Sequence, residues 1–325
     1  MAEDSSHVRH TQSSTSVASA VDVSGRFLAL MSGTDGQDLL RRMSTNDLSP
    51  LSDGIPLSTI LTSEKGRIID VLSVIRLDRQ RLLLIGQSFD TAKVIQWLEK
   101  FIIMEDIRID LLSESYSHLL LYGNIEDVEV PENYRRGNSL RPEIEELNGA
   151  LGPGPLVYSD AWGSVVFSHI LFGPSHQGEI ENWLKEHRVR RTTRDDFEHF
   201  RIRNGVPASP NELSESYNPL EANLKNLVSW TKGCYIGQEV IARLETYKKV
   251  QRKLMRVEME EPPSSLPVPL YSPDGDAGIL TSVSVDPSDQ GTYGLAYVRI
   301  PASQGNGAWY LNSKGERVAV IFSAV

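Results

Sequence analysis

The sequence predicts an α+β protein that ends in a small all-β unit. Three observations carry that expectation. Alternating apolar and polar stretches recur between residues 25 and 122, the period-two pattern of half-buried strands. Val94, Trp97, Leu98, Phe101 and Ile102 repeat at i, i+3, i+4, i+7 and i+8 behind Thr91, the spacing of an amphipathic helix. After about Gln251, short apolar runs alternate with Pro262-Pro263, Ser272-Pro273-Asp274-Gly275 and Asn306-Gly307, the turn-rich texture of an all-β region.

In chain order, residues 1–20 are rich in Ser and Thr, contain Glu3 and Asp4, and lack an apolar run. They read as a flexible tail and not as a signal or transit peptide. A main region then spans residues 21–250. Residues 25–30 form a short strand. Thr34-Asp35-Gly36-Gln37 fits a capping box, with Thr34 capping and Gln37 reaching back; Leu39, Leu40 and Met43 follow on one helical face. Residues 54–62 and 66–77 read as two strands joined at the hairpin turn Ser63-Glu64-Lys65-Gly66. Residues 81–86 form a third strand, and the helix at 91–102 follows. Further strands fall at 107–112, 117–122 and 163–172. Residues 126–146, with seven acids and three arginines, read as an exposed insert. Gly152-Pro153-Gly154-Pro155 marks a loop. Residues 176–187 form a helix with Ile180, Trp183 and Leu184 inward. A second helix at 195–204 is closed by Gly205 and Pro207, and 206–217 is a loop. The all-β unit occupies 251–325.

The chain has 325 residues, with Lys+Arg 33 against Asp+Glu 43 and a net charge of −10. That length suits two or three domains. The acidic balance is a poor setting for a dedicated nucleic-acid binder. A single cysteine excludes an internal disulfide and argues against a thiolate-only metal site; it fits a reducing compartment, cytoplasm or organelle matrix. No apolar run approaches the roughly 18 residues of a membrane span, so no membrane partner is expected. His118, His169, His176, His187 and His199 show no ligand spacing, so no metal site is expected.

The densest chemistry is Lys232-Gly233-Cys234-Tyr235-Ile236-Gly237-Gln238-Glu239. Gly233 and Gly237 let the backbone turn sharply on both sides of the cysteine. Gln238 and Glu239 fall in the first turn of a helix that continues through Val240, Ile241 and Arg243. A thiol near a helix N-terminus and beside Lys232 is expected to have a lowered pKa. Two readings stay open from these residues alone: a reactive or ligand-contacting thiol, or a structural cysteine buried in a tight turn. Downstream, Arg243, Lys248, Lys249, Arg252, Lys253 and Arg256 stand against one acid, Glu245, either as a rim for anionic ligands or as a solvated face. Asp70, at strand spacing between Ile69 and Val71, reads alone as a surface strand residue.

This motif, followed by Ala242-Arg243, resembles the signature of the YgfZ-like folate-binding proteins, relatives of the glycine-cleavage T-protein that support iron–sulfur enzymes. Thr45-Asn46-Asp47 and Glu64-Lys65-Gly66-Arg67-Ile68-Ile69-Asp70 resemble the family's N-terminal half. Residues 201–207 and 219–223 resemble the approach to the signature, and 278–282 and 294–299 its C-terminal barrel. The resemblance implies an aminomethyltransferase-like cloverleaf: two interleaved α+β domains plus a C-terminal β-barrel, around a folate-binding channel.

The resemblance further implies a tetrahydrofolate, or a one-carbon derivative of it, as cofactor. Asp70, Arg67, Asn46, Arg203, Lys232, Gln238, Glu239 and Arg243 are the expected contacts, and Cys234 is the chemically active residue at the channel mouth. The expected partners are reduced folate, iron–sulfur enzymes or their assembly factors, and, more weakly, tRNA. The chain departs from the aminomethyltransferase branch at three places: Val71 replaces an acid, Ile75 a tyrosine, and Arg203 a glutamate that contacts the pterin. Valine cannot accept a hydrogen bond, and arginine reverses the charge offered to the pterin. Glycine-cleavage chemistry is therefore not expected. The first expectation is a folate-binding accessory protein; the alternatives are a folate-dependent one-carbon transferase and an RNA-associated scaffold linked to tRNA modification.

Overall fold

Strand β1 (Ser19–Asp22) begins one sheet, and the chain leaves that sheet before completing it. The computed structural model describes residues 17–126, 128, 135–136, 154–286, 290–300, 309–313 and 316–323. From β1 the chain builds a separate layer from β2 (Leu28–Ser32), helix α1 (Gly36–Met43), β3 (Leu57–Thr62), β4 (Ile68–Asp78), β5 (Arg81–Gly86), α2 (Thr91–Glu99) and β6 (Arg108–Leu111). It then returns to the first sheet with β7 (Ser117–Tyr122), β8 (Arg135–Arg136), β9 (Leu156–Trp162), β10 (Val165–Phe172), α3 (Gln177–Glu186) and β11 (Arg190–Thr192). Helix α4 (Arg194–Arg203), a long loop and α5 (Gln238–Thr246) lead to β12 (Arg252–Met259), β13 (Val268–Ser272), β14 (Gly275–Val285), β15 (Thr292–Arg299), β16 (Trp309–Ser313) and β17 (Glu316–Ser323).

The first sheet has the order β11-β1-β7-β10-β9-β8, the second β3-β4-β5-β2-β6, and β12–β17 close into a barrel in the order β12-β15-β14-β13-β16-β17. The two α+β layers are thus interleaved in sequence. They meet over Leu28, Leu30, Ile75, Leu83 and Ile85 of the second sheet and Leu156, Tyr158 and Leu171 of the first. Helices α1 and α2 cover the opposite face of the second sheet through Leu39, Leu40, Met43, Val94 and Leu98. Ile180, Trp183 and Leu184 of α3 cover the first. Because β4 is clothed on both sides, its apolar run is almost continuous and its alternation is lost.

The barrel is fastened to the α+β layers by a buried ion pair. Arg201 of α4 is 1% exposed and Glu212 is 0% exposed. Arg201 Nη1 donates to Glu212 Oε2 at 3.1 Å and to the Val206 carbonyl at 3.2 Å. Glu212 also accepts from the hydroxyls of Thr281 and Ser282 on β14, at 2.5 and 2.6 Å. Every face of the pair is hydrogen-bonded, as a buried ion pair requires. Tyr217 stacks on Tyr297 of the barrel at a centroid distance of 3.5 Å.

Several local expectations need correction. The ordered fold begins inside the segment read as tail: β1 starts at Ser19, held between β7 and β11. Four residues flanked by neighbours on both edges leave no periodic signal. The first strand of the second sheet lies at 28–32, since Gly25 turns the chain at φ +90°. No capping box opens α1. Its N-cap is Asp35, without a side-chain cap; Thr34 donates to Asp106, and Gln37 to the Leu48 carbonyl. Helix α2 stops at Glu99, although Phe101 and Ile102 still pack on its core. Strand β9 carries Ser159 and Asp160 at its exposed end, which hid it from the pattern. Most of the 126–146 insert lies outside the described residues, as do residues 1–16 of the tail and Gly152-Pro153. Arg135–Arg136 of the insert pair in parallel with Leu156 and Val157, so that part is an edge strand.

Arg201→Met would strand the Glu212 carboxylate without its cation. Loss of a buried partner costs about 3–5 kcal/mol, so the midpoint of chemical denaturation should fall steeply in this variant.

Candidate functional site

The loop that carries Cys234 is fixed by its backbone. Gly237 sits at φ +83°, and a Cβ there would lie 2.5 Å from the Ser63 carbonyl oxygen and 2.9 Å from Gly66 Cα. Gly66, at φ +65°, faces it from the β3–β4 hairpin turn. The two turns therefore meet main chain to main chain, which only glycine permits. Thr62 Oγ1 donates to the Ile236 carbonyl at 2.6 Å, and the Ile236 N–H donates to the Arg42 carbonyl at 2.9 Å. Tyr235 turns inward with Leu220, Val228 and Ile241, and burial pushes its hydroxyl up to about 12. Cys234 between them is exposed. The structural-cysteine reading is thus overturned in favour of an accessible thiol.

Lys232 does not face that thiol's solvent side. It is 9% exposed, and its Nζ donates to the carbonyls of Arg41 at 2.7 Å, Ser44 at 2.5 Å and Asn46 at 2.7 Å. These are the carbonyls at and beyond the C-terminus of α1, where the helix dipole favours a cation. Burial pushes the ammonium down to about 8, with Asp47 opposing and Arg41 adding to the shift. All three ammonium donors are committed, so the expected cofactor contact at Lys232 becomes a clamp between the cysteine loop and α1.

A cleft of about 210 Å³ lies between the sheets, lined by Ser58, Val71, Ser73, Gln87, Asp160, Trp162 and the 223–227 segment that leads to the cysteine loop. Asp70 stands behind its wall. The residue is 1% exposed, not the surface strand residue its spacing suggests. Asp70 Oδ1 accepts from the N–H groups of Val71 at 2.8 Å and of Gln87 and Ser88 at 3.1 Å each. Oδ2 is buried without a partner among the described residues and would lie 2.1 Å from a Cβ on Gly86. Burial pushes the carboxyl up to about 7, against the three N–H groups and Arg26. Its neighbours Val71, Ser73 and Gln87 reach the cleft where its own oxygens do not.

The remaining predicted contacts scatter. Asn46 holds the β3 edge, donating from Nδ2 to the Ser58 carbonyl and from its N–H to Thr59. Arg67 joins Arg252 on the buried Glu221, at 3.3 and 3.1 Å. Arg203 is drawn to the barrel, paired with Asp286 and lying over the Tyr293 ring at 5.1 Å. Glu239 and Arg243 are exposed on α5, 3.9 Å apart, and Gln238 is half-buried in its first turn. The basic stretch is likewise distributed: Lys248 pairs with Glu245 and Arg256 with Glu258.

Sequence reasoning passed over a buried polar cluster beside the cleft. His118 of β7 and His169 of β10 face each other, Nε2 to Nδ1, at 2.8 Å. His169 Nε2 lies 3.2 Å from Asp160 Oδ1, Tyr158 stacks on the His169 ring at 4.4 Å, and Arg26 is buried nearby. The one available signal was a histidine at the head of each apolar run, Ser117-His118-Leu119 and Ser168-His169-Ile170. That they meet depends on the β7–β10 register, which aligns Leu171 with His118.

Two stability measurements test this description. Lys232→Met, which leaves three carbonyls without a partner, should cost about 2–4 kcal/mol in chemical denaturation, whereas Cys234→Ser at an exposed position should stay within about 0.5 kcal/mol. A carboxyl raised by folding binds a proton more tightly in the native state, so Asp70 makes the protein more stable as pH falls from about 7 toward the ordinary carboxylate range. Denaturant titrations at about pH 7.5 and about pH 5 should show the wild type gaining stability on acidification relative to Asp70→Asn.

Residues 3–124 match the family model for the GCVT N-terminal domain. A chloroplastic protein of Arabidopsis thaliana, provisionally named a transferase, is 27% identical over 298 residues, covering 87% of this chain and 66% of its own length. The chain thus spans just under two thirds of that relative. The aminomethyltransferase of Thermoanaerobacter pseudethanolicus is 24% identical over 295 residues, 86% of this chain and 78% of that protein. The glycine cleavage system aminomethyltransferase T from Bartonella henselae superposes with a TM-score of 0.76 at 18% identity, over 95% of this chain and 86% of that one. The interleaved layers and closing barrel are therefore the aminomethyltransferase-like fold, and its N-terminal part is similar to the GCVT N-terminal domain.

Proposed function

We propose that the chain binds a reduced folate in the cleft between its sheets, and that Cys234 gives it an accessory role toward iron–sulfur enzymes. The cleft carries the reading. It offers the flat indole of Trp162, the carboxylate of Asp160, the hydroxyls of Ser58 and Ser73, and the amides of Gln87, Asn223 and Asn226. A pterin is flat and presents amide and amine donors along one edge, which this lining can stack against and accept from. At about 210 Å³ the cleft is smaller than the roughly 300–1,000 Å³ of pockets that enclose a whole drug-sized ligand. The head group is therefore taken inside, with the glutamate tail outside.

The thiol part of the proposal rests on exposure and rigidity. Cys234 is exposed on a loop whose neighbours are held by the Lys232 clamp and the Gly66–Gly237 contact. A thiol so presented can reach a partner, a persulfide or a cluster iron. The segment between the cleft and this loop is short, 227 to 234, so ligand and thiol share one structural unit. A reducing compartment, either cytoplasm or an organelle matrix, suits a free thiol; among the described residues no helix is long and apolar enough to cross a membrane. The RNA reading finds little support, since Lys248, Arg252 and Arg256 are paired with acids. A transferase reading that relies on Asp70 is disfavoured by that residue's burial.

Calorimetry with tetrahydrofolate and its one-carbon derivatives tests the binding step. Wild type should bind. Trp162→Ala should weaken binding by about 1–3 kcal/mol, the range for stacking a flat heterocycle on an aromatic ring, while Arg203→Glu, remote in its contacts, should change it little. Cys234→Ser should keep both fold and folate affinity and lose support of iron–sulfur enzymes in cells. No binding by the wild type would end the folate reading, and full in-cell activity of Cys234→Ser would end the thiol reading.

A further inference from the structure

Three buried polar atoms converge on a chamber of about 20 Å³ beside the cleft. They are Arg26 Nε, Asp160 Oδ1 and His169 Nε2, and none has a hydrogen-bond partner among the described residues. Arg26 is 7% exposed and His169 2%; the Asp160 side chain is 7% exposed. His169 Nε2 and Asp160 Oδ1 are 3.2 Å apart, near enough to attract but misaligned for a direct hydrogen bond. Groups this deeply buried are rarely left unpaired unless a water, an ion or a ligand completes them.

Size and donor chemistry both select a water. A chamber of about 20 Å³ exceeds the roughly 10–15 Å³ that one water needs and is too small for an organic group. Burial, His169 and Arg26 all hold the His118 pKa well below its usual value, so that ring is neutral. A single hydrogen then bridges His118 Nε2 and His169 Nδ1. The Asp160 carboxylate beside His169 Nε2 favours a hydrogen on that atom, which makes His118 the donor of the bridge. The chamber therefore presents two N–H donors, from Arg26 and His169, and one carboxylate acceptor. A water accepts from the first two and donates to Asp160, with one hydrogen-bonding direction left over. Asp160, Gln87 and Trp162 line both the chamber and the cleft, so that direction opens toward the cleft.

We propose that Arg26, Asp160 and His169, with His118 behind them, hold a water whose remaining O–H reads an acceptor atom of a heterocycle bound in the cleft. The assignment of the heterocycle rests on the folate reading; the site itself rests on the three unpaired atoms. Arg26 and His169 occupy both lone pairs of the water and Asp160 takes one of its hydrogens, so the water has only a hydrogen left to offer. The ligand atom it meets is therefore an unprotonated ring nitrogen or a carbonyl oxygen, and no proton changes hands. Asp70 attracts Arg26 and Arg201 repels it. Asp160 and His169 are positioning residues that fix the water's orientation.

The ring nitrogens of His118 and His169, followed by ¹⁵N NMR in ligand-free protein, test the site without any ligand. The wild type should show His118 neutral and His169 protonated at Nε2, and Asp160→Asn should shift the His169 Nε2 signal. An Nε2 signal unchanged in Asp160→Asn would overturn the proposal, as would a structure at water-resolving resolution with no ordered water touching the three atoms. Calorimetry of tetrahydrofolate binding tests the contact. His169→Phe, which removes one of the water's two donors at a residue that does not line the cleft, should weaken binding severalfold. Unchanged affinity in His169→Phe would also overturn the proposal. Absence of folate binding by the wild type would instead fall on the folate reading, with the NMR result still deciding the site.

Discussion

Close contact between two main chains organises the functional face of this protein. Gly66 at the β3–β4 turn and Gly237 at the start of α5 approach so closely that a side chain on either would meet backbone or packed atoms. Glycine loses more chain entropy on folding than any other residue, and here that cost permits a contact no other residue could make. The loop between 232 and 237 is thereby pressed onto the N-terminal layer, and Lys232 completes the attachment with three carbonyls at the end of α1. Tyr235 enters the small apolar core beneath, and Cys234 remains outside. A thiol held on a rigid loop is presented in one direction, which a flexible tail could not achieve.

The second constraint is electrostatic and lies between the sheets. Most buried polar groups here are fully paired, as in the Arg201–Glu212 junction. Among the described residues, Arg26, Asp70, Trp97, Asp160 and His169 depart from that rule by each keeping an unpaired buried atom. Such departures destabilise a fold unless a bound group completes them. Trp97 lies apart on α2, but the other four are gathered beside the cleft, which is the distribution expected when a site retains polar capacity for a ligand. Asp70 and Asp160 are separated by this geometry: one is sealed behind the wall, and the other reaches the cleft.

Much of the secondary structure was legible in the sequence, and the reasons differ by element. Strand β5 coincides with its expected limits at 81–86, because an apolar run bounded by turns leaves little freedom. Helices α2, α3 and α5 announced themselves by apolar spacing and by the residues at their starts. Strands β1 and β8 did not, since each is short and is stabilised by partners distant in sequence. Capping at α1 failed as an expectation because Asp106, brought in from 71 residues beyond Asp35, takes the local donors of Thr34.

The cysteine motif shows the same division. Its glycine spacing and the helix that follows it were fixed by local residue chemistry, so the sequence alone determined a bent loop with a thiol at its crest. Whether that thiol is exposed, where the Lys232 ammonium goes and which carboxylate borders the cleft were all decided by contacts between segments far apart in the chain. Arg203 and Arg67 turned to acids on neighbouring elements, and His118 and His169 became a pair through strand register. Local sequence encodes backbone conformation, because sterics act between adjacent residues. The partner of a long or buried polar side chain is set by what the packed fold brings within hydrogen-bond distance, and that only the tertiary structure decides.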